Sequence, residues 1–244
     1  MTHYDKILFG DKMITSLDNP KIKYLQKLSQ AKNRKKEARF VVEGKHLVEE
    51  ARKLDLLIEA YSIDDIPNYT QISKAVMEKI CNTDTVISEI GLCKMLSDDK
   101  ISNKVLILDA IQDPGNMGTL MRSAVAFGFN TIVLGEGCVD IYNPKVIRSS
   151  QGAIFKLNFL NKNLLEFLPT ISKYKIYGTD VVNGVELDNI IAYKNIAIVL
   201  GNEGNGISKE VKNLIKENIY IPMLNTESLN VSVAGSIIMY KLRG

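Results

Sequence analysis

Short apolar runs separated by longer mixed stretches dominate the second half of the chain. The runs cover residues 105–108, 131–134, 176–178, 196–200 and 219–221, and they are rich in Val, Ile and Leu. Near-continuous apolar strands are typical of a sheet that is covered on both faces, and such sheets are parallel. The stretches between the runs are long enough for helices. The pattern therefore predicts an α/β domain built on a parallel sheet.

The first half of the chain alternates helical and strand patterns on a smaller scale. Ile22, Leu25 and Leu28 recur at three-residue spacing after Pro20, which predicts an amphipathic helix. The elements predicted after it are a strand at 40–42, a helix at 45–53, a strand at 56–63 and a helix at 74–80. This alternation predicts a small, separate α/β domain.

A polar stretch without a pattern lies between the two halves. A chain of 244 residues is long enough for two domains that each bury a core. We expect an N-terminal extension at 1–12, a first domain at 13–97, a linker at 98–104 and a second domain at 105–244.

The composition is that of a globular protein, with 45% hydrophobic and 24% charged residues and no apolar run of about 20 residues. The first six residues lack the layout of a secretory signal, so a cytoplasmic location is expected. Three widely spaced cysteines and two histidines favour neither a disulfide framework nor a metal site. No metal is expected.

Positive charge is concentrated between Lys21 and Arg39, where eight basic residues face one acidic residue, Glu37. The net charge of this segment is +7 and that of the whole chain is +3, so the remainder carries −4. One interpretation of such a run is a solvated helix face. The other is a nucleic-acid contact surface, because clustered cations gain binding free energy by releasing counterions from phosphates. The candidate RNA-binding residues are Lys32, Arg34, Lys35, Lys36 and Arg39.

Three loops each follow a predicted strand and lead into a predicted helix, at residues 109–124, 201–208 and 221–236. In the first, Asp113 and Pro114 form a turn, and Asn116 is suited to cap the helix that runs to residue 127. A helix N-terminus offers unpaired N–H groups to an anion such as an RNA phosphate.

The second loop has glycines at 201, 204 and 206. Glycines between a strand and a helix also bind dinucleotides, so an oxidoreductase is one alternative. The order Gly-x-x-Gly-x-Gly differs from the Rossmann order, however, and no Gly-Lys-Ser/Thr of a P-loop is present. A purely structural turn is the other alternative.

Together and in this order, the three loops resemble the motifs of the SpoU (TrmH-like) branch of the SPOUT RNA 2′-O-ribose methyltransferases. The resemblance covers residues 105–242 well and residues 13–97 more loosely. It implies a SPOUT catalytic domain with a trefoil knot, preceded by a smaller L30e/L7Ae-like α/β domain that binds RNA. Topology rules alone do not predict a knot.

The resemblance also implies the roles of individual residues. S-adenosylmethionine is the implied methyl donor. The residues implied in its binding are Leu200, Gly201, Gly204, Ile221, Met223, Ser228 and Leu229. The residues implied in catalysis are Arg122, Asn116, Glu203, Ser228 and Asn230. Arg122 is expected to grip the phosphate and orient the hydroxyl. Because a guanidinium is a poor base, the acceptor of the proton stays open between Arg122, an RNA phosphate oxygen and solvent.

Ribosomal RNA is the expected substrate, with transfer RNA as the alternative, and the family implies a homodimer formed through the C-terminal domain. A non-catalytic RNA-binding protein is the alternative of another class. S-adenosylmethionine binding and methyl transfer to RNA distinguish these readings.

Overall fold

The computed structural model describes residues 13–81, 87–96, 100–181, 183–191 and 193–243. The chain forms two compact units. The first comprises Met1–Leu96 together with Tyr142–Arg148, and the second comprises Ser97–Ile141 and Ser149–Gly244. The predicted extension at 1–12 lies outside the described residues. The pattern of the sequence did not predict that Tyr142–Arg148 groups with the first unit.

The first unit contains a mixed sheet. Its strands are β1 (Arg39–Glu43), β2 (Leu57–Ser62), β3 (Thr70–Gln71) and β4 (Glu89–Lys94). The strand order is β1-β4-β2-β3; β4 pairs antiparallel with β1 and β2, and β3 pairs parallel with β2. β4 was not predicted, although five of its six residues are buried.

The helices of the first unit are α1 (Pro20–Lys27), α2 (Ala31–Glu37), α3 (Lys45–Lys53) and α4 (Lys74–Ile80). α1 begins where Asn19 accepts a hydrogen bond from the backbone N–H of Lys21 (2.9 Å). Ile22, Leu25 and Leu28 are at most 2% exposed and form the core with residues of the sheet. Because α1 and α2 are separate helices, the basic run spans two helices rather than one.

The second unit is built on a parallel sheet. Its strands are β5 (Lys104–Leu108), β6 (Thr131–Leu134), β7 (Asn158–Asn161), β8 (Lys175–Thr179), β9 (Val185–Glu186), β10 (Ile196–Leu200) and β11 (Glu217–Tyr220). The order is β7-β6-β5-β10-β8-β11-β9, and these neighbours pair in parallel. β5 begins at Lys104, the last residue of the predicted linker, and the linker itself stays a prediction.

The remaining helices are α5 (Pro114–Phe127), α6 (Pro144–Ser150), α7 (Leu164–Phe167), α8 (Lys209–Lys212) and α9 (Val231–Lys241). α5 packs on α9, and the hydroxyls of Ser123 and Ser236 are 2.7 Å apart. Gly235 permits this approach, because a Cβ at that position would lie 2.7 Å from a methyl carbon of both Leu120 and Leu200. In the described part of the chain, no helix has the length and apolarity needed to cross a bilayer.

Candidate active site

The three motif loops leave one edge of the parallel sheet. β5, β10, β8 and β11 are consecutive neighbours in the sheet. Because they are parallel, their carboxyl ends lie at the same edge, which is where open α/β sheets bind ligands. The loops at 109–113, 201–208 and 221–230 follow β5, β10 and β11, so the fold brings together segments that are far apart in the sequence.

A cavity of about 430 Å³ opens at this edge. This volume lies within the range of small-molecule sites, roughly 300–1,000 Å³. All of the residues predicted to hold the cofactor line the cavity, namely Leu200, Gly201, Gly204, Ile221, Met223, Ser228 and Leu229. The lining also includes Glu203, which was predicted to be catalytic.

The lining fits S-adenosylmethionine chemically. Leu200, Ile221, Met223 and Leu229 supply apolar surface suited to an adenine ring. The carboxylate of Glu203 supplies a charge opposite to that of a sulfonium. These residues and the backbone of the glycine loop are the groups that would hold this cofactor.

Three amide and carboxylate side chains connect the three loops. Asn116 donates from Nδ2 to Oε1 of Glu203 across 3.1 Å, and Asn230 donates from Nδ2 to Oδ1 of Asn116 across 3.0 Å. The backbone N–H of Asp113 also donates to Oε1 of Glu203 (3.3 Å). We call Glu203, Asn116 and Asn230 the amide chain. It joins one residue from each predicted motif.

The direction of these hydrogen bonds is fixed at both ends. Oδ1 of Asn230 caps α9: it accepts from the backbone N–H of Ser232 (2.9 Å) and of Val233 (3.4 Å) and from the Ser232 hydroxyl (2.7 Å). The amide NH₂ of Asn230 is therefore the group that faces Asn116. At the other end, an ionised Glu203 can only accept, so Asn116 must present its NH₂.

The amide chain favours the ionised form of Glu203. Partial burial raises the pKa of this carboxyl. Hydrogen bonds from the Asn116 side chain and from the backbone N–H groups of Glu203, Asp113 and Gln112 act in the opposite direction. The net effect is a pKa below the ordinary value of 4.5. Glu203 is therefore a negative charge at neutral pH and a weak base.

Asp113 caps α5, in place of the predicted Asn116. Oδ1 of Asp113 accepts from the backbone N–H of Asn116 across 2.7 Å. Asn116 therefore lies inside the first turn, and its side chain is directed to Glu203 and Asn230. The prediction was wrong because both residue types cap helices and the register of the turn was ambiguous.

Arg122 lies outside the amide chain and does not line the cavity. It is six residues beyond Asn116, which at 3.6 residues per turn puts it roughly 120° away around α5. Its side chain is exposed and makes no hydrogen bond or ion pair with another described residue. The neighbouring Ser123 contacts Ser236 of α9. The structure thus brings together four of the five predicted catalytic residues at or beside the cavity and leaves Arg122 apart.

The predicted RNA-binding residues fall into two groups. Lys32, Lys35 and Lys36 are exposed on α2, and Arg39 is half-buried beside the Tyr24 ring. Arg34 is only 3% exposed and donates to the carbonyl oxygens of Leu28 (2.9 Å) and Ser29 (2.6 Å). Its guanidinium satisfies carbonyls that follow α1, so Arg34 is withdrawn from the predicted RNA-binding set.

Asn202 and Asp180 are among the polar residues of the cavity that the sequence reasoning missed. Asn202 lies beside Glu203, and Asp180 follows β8 and pairs with Lys212 of α8 across 2.5 Å. The position of Asp180 directly after a strand was a usable signal. It required knowing that β8 is the neighbour of β10, which the order of elements along the chain does not reveal.

A parallel sheet with a cavity at its carboxyl edge, bordered by three such loops, fits a SPOUT methyltransferase, and the solved structures that this chain resembles are of that class. A solved RNA 2′-O ribose methyltransferase has a TM-score of 0.81 with 28% identity over 95% of this chain and 98% of that one. The AdoMet-bound rRNA methyltransferase of Sinorhizobium meliloti has a TM-score of 0.85 with 24% identity over 95% and 97%, which supports the fold.

The chain belongs to the SpoU rRNA methylase family, whose sequence model matches residues 103–240. Residues 19–87 match the MRM3-like substrate binding domain. The 23S rRNA (guanosine(2553)-2′-O)-methyltransferase RlmP of Bacillus subtilis is 36% identical over 96% of this chain and 100% of its own length.

The predicted family, SPOUT fold and enzyme class, an RNA 2′-O-methyltransferase, are thereby confirmed. The trefoil knot and the L30e/L7Ae-like description of the first domain stay predictions.

Proposed function

We propose that this protein transfers a methyl group from S-adenosylmethionine to a ribose 2′-hydroxyl of ribosomal RNA. The observation that carries the proposal is the cavity at the sheet edge, whose lining contains the ionised Glu203 that the amide chain holds in place. A site of this kind offers apolar surface and one negative charge to a sulfonium compound.

The proposed substrate is a guanosine of the large-subunit ribosomal RNA. The support is the name of the Bacillus subtilis relative, whose whole length aligns with this chain. Transfer RNA is the alternative, because the Synechocystis relative, 30% identical, is described as an uncharacterized tRNA/rRNA methyltransferase. A cytoplasmic location is part of the proposal, and its support is the proposed ribosomal RNA substrate.

Positioning accounts for most of the proposed catalysis. When bound, S-adenosylmethionine supplies an electrophilic methyl group on a sulfonium. The residues of the chain align the ribose so that the new C–O bond forms as the C–S bond breaks. Holding two reactants at near-attack distance contributes about 7–11 kcal/mol. The proton of the hydroxyl passes to solvent or to an RNA phosphate oxygen, because Glu203 is a weak base.

The amide chain sets the relative position of the three loops. Asn230 caps the start of α9 and donates to Asn116, which lies in the first turn of α5 and donates to the Glu203 carboxylate. We assign Glu203 to balancing the sulfonium charge, with Asn116 and Asn230 as its supports. Ser228 lines the cavity in the loop before Asn230 and is assigned to the ribose and the cofactor.

Arg122 is assigned to the RNA phosphate beside the target ribose. An exposed guanidinium without a described protein partner is suited to bidentate binding of a phosphate. Its place on α5 is held by the packing of α5 on α9.

The first domain is assigned to RNA binding through Lys32, Lys35, Lys36 and Arg39. The three lysines of α2 are exposed on a helix without an acidic residue in its first turn. Clustered cations bind RNA by releasing counterions from phosphates.

A homodimer formed through the second unit is also proposed. Val233, Ile237 and Tyr240 share one face of α9 and are 45%, 39% and 54% exposed. A face of three large apolar side chains on one helix is suited to pairing with a second copy. Light scattering during size exclusion tests this: the mass should be twice 27.3 kDa.

Mapping ribose methylations in RNA from cells with and without the gene tests the proposed function. One 2′-O-methylated nucleotide of the large-subunit ribosomal RNA should be lost with the gene and restored by a plasmid copy. Loss of a transfer RNA methylation would support the alternative substrate. An unchanged methylation map of both RNAs would contradict the proposal.

A further inference from the structure

The side chain of Asn202 fastens two loops of the cavity together. Its Nδ2 donates to the carbonyl oxygen of Ala110 across 2.9 Å. Its Oδ1 accepts from the backbone N–H groups of Gly204 (3.0 Å) and Asn205 (3.2 Å). Ala110 follows β5, whereas Gly204 and Asn205 belong to the loop after β10. One amide therefore uses both its donor and its acceptor to hold segments from two motifs.

The backbone of Asn202 closes the same loop. Its N–H donates to the carbonyl oxygen of Gly206, and the N–H of Gly206 donates to the carbonyl oxygen of Asn202, both across 2.9 Å. Residues 203–205 thus form a tight turn with Asn202 at its base. Gly201, immediately before it, is packed so closely that a Cβ would lie 2.0 Å from the backbone of Gly206 and Ile207. The wall of the cavity and the position of Glu203 both depend on this turn.

The partner of Asn202 on the first loop has an uncommon backbone conformation. Ala110 has a φ of +57°, in the left-handed region that residues with a Cβ rarely adopt. Such a conformation persists only where its surroundings determine it. The hydrogen bond from Asn202 to the Ala110 carbonyl is one of those determinants.

We propose that Asn202 is a positioning residue of the methyl-transfer reaction: it locks the glycine loop against Ala110, and thereby shapes the cofactor cavity and presents Glu203 to Asn116. The proposal rests on the proposed function, because it concerns the same cavity. Nδ2 of Asn202 also donates to Oε2 of Glu203 across 3.4 Å. Asn116 binds the other carboxylate oxygen, Oε1.

The chemistry of the amide explains why this position needs both halves of the side chain. An alanine offers neither the donor for Ala110 nor the acceptor for the turn. An ionised aspartate keeps the acceptor but has no donor, and it adds a second negative charge beside Glu203. When that introduced carboxyl is protonated, it regains an O–H donor and loses the charge.

The test compares Asn202→Ala, Asn202→Asp and a matched control, Asn213→Ala, in the full-length protein. Asn213 is an exposed asparagine at the end of α8. The measurements are the dissociation constant of S-adenosylmethionine by calorimetry, kcat and KM, and the melting temperature. Asn202→Ala should weaken S-adenosylmethionine binding at least about tenfold, since it removes four side-chain hydrogen bonds. Asn213→Ala should bind as the unaltered protein does.

Asn202→Asp separates positioning from a general loss of stability. The ratio of its dissociation constant to that of the unaltered protein should fall as the pH is lowered from about 7 to about 4, because an aspartate with an ordinary pKa of about 3.9 is then roughly half protonated. A residue that only stabilises the fold would lower the melting temperature without this recovery. Should Asn202→Ala fail to fold, Asn202→Asp alone decides.

Binding by Asn202→Ala within twofold of the unaltered protein would overturn the proposal, as would a ratio for Asn202→Asp that does not change with pH. These outcomes differ from a failure of the proposed function. In that case the unaltered protein itself would not bind S-adenosylmethionine.

Discussion

Asn116 and Glu203 are 87 residues apart in the sequence, yet the amide of one donates to the carboxylate of the other across 3.1 Å. This contact joins the start of α5 to the glycine loop after β10. Asn230 extends it to the start of α9. The three loops that enclose the cavity are therefore held by side-chain hydrogen bonds as well as by the sheet from which they leave.

Replacing Glu203 by glutamine tests the charge at the centre of this arrangement. Glu203→Gln keeps an oxygen that can accept from Asn116 but removes the negative charge, so turnover should fall at least about tenfold. Glu78→Gln makes the same change at an exposed position outside the cavity; it is the control and should keep full turnover.

The same variant gives a pH-dependent signature in stability. The folded-state pKa of Glu203 lies below its ordinary value of 4.5, so its ionised form stabilises the fold above that pH. The stabilisation is lost as the pH falls through the lower, folded-state pKa. The difference in melting temperature between the unaltered protein and Glu203→Gln should be constant above roughly pH 5 and should shrink at lower pH. A difference that grows on acidification would contradict the direction of the shift.

Asn230 has two separable tasks, capping α9 and donating to Asn116. Asn230→Asp keeps an oxygen for the cap and suits the positive end of a helix, so the melting temperature should change little. It removes the donor to Asn116, so methyl transfer should fall at least about tenfold. Asn163→Ala is the matched control, because Asn163 caps α7 away from the cavity. It should cost about 0.5–2 kcal/mol of stability and leave turnover unchanged.

Equal activity of Asn230→Asp and the unaltered protein would show that the contact with Asn116 is dispensable.

The two kinds of basic residue in α2 should respond differently to substitution. Replacing Lys32, Lys35 and Lys36 together by glutamine should weaken RNA binding. It should also reduce the slope of log K against log salt by roughly 2, if each lysine contacts one phosphate. Arg34→Ala should instead lower the free energy of unfolding by about 1.5–3 kcal/mol, because it leaves the buried carbonyl of Leu28 and the partly buried carbonyl of Ser29 without their charged donor. Filter binding at several salt concentrations and denaturant unfolding measure the two effects. An unaltered slope for the lysine variant would contradict RNA binding by α2 and would favour the alternative, a solvated helix face.

The sequence was most informative where side chains are buried on both faces of the sheet. β6 and β10 have the predicted bounds, since their residues are buried throughout and all but Thr131 are apolar. β7 was missed because it is an edge strand with Asn158 and Asn161 at its ends. Its pattern resembles that of a loop.

Contacts between distant segments limited what the sequence could reveal about the site. The residues around the cavity were found through the resemblance of three motifs, and their spatial meeting depends on β10 lying between β5 and β8. The role of Asn202 depends in part on its hydrogen bond to the carbonyl oxygen of Ala110, 92 residues away in the sequence, which no local pattern indicates. Arg34 was misassigned because a charge count does not distinguish a cation that binds solvent or RNA from one that binds backbone carbonyls.

Transfer of a labelled methyl group from S-adenosylmethionine to ribosomal RNA tests the central claim most directly. RNA from cells that lack the gene is incubated with the unaltered protein or with Arg122→Ala, and the digested nucleosides are separated. The label should appear in a 2′-O-methylated nucleoside with the unaltered protein and be absent with Arg122→Ala, while both proteins bind S-adenosylmethionine with similar affinity. Label in a methylated base, or no label with the unaltered protein, would contradict the account.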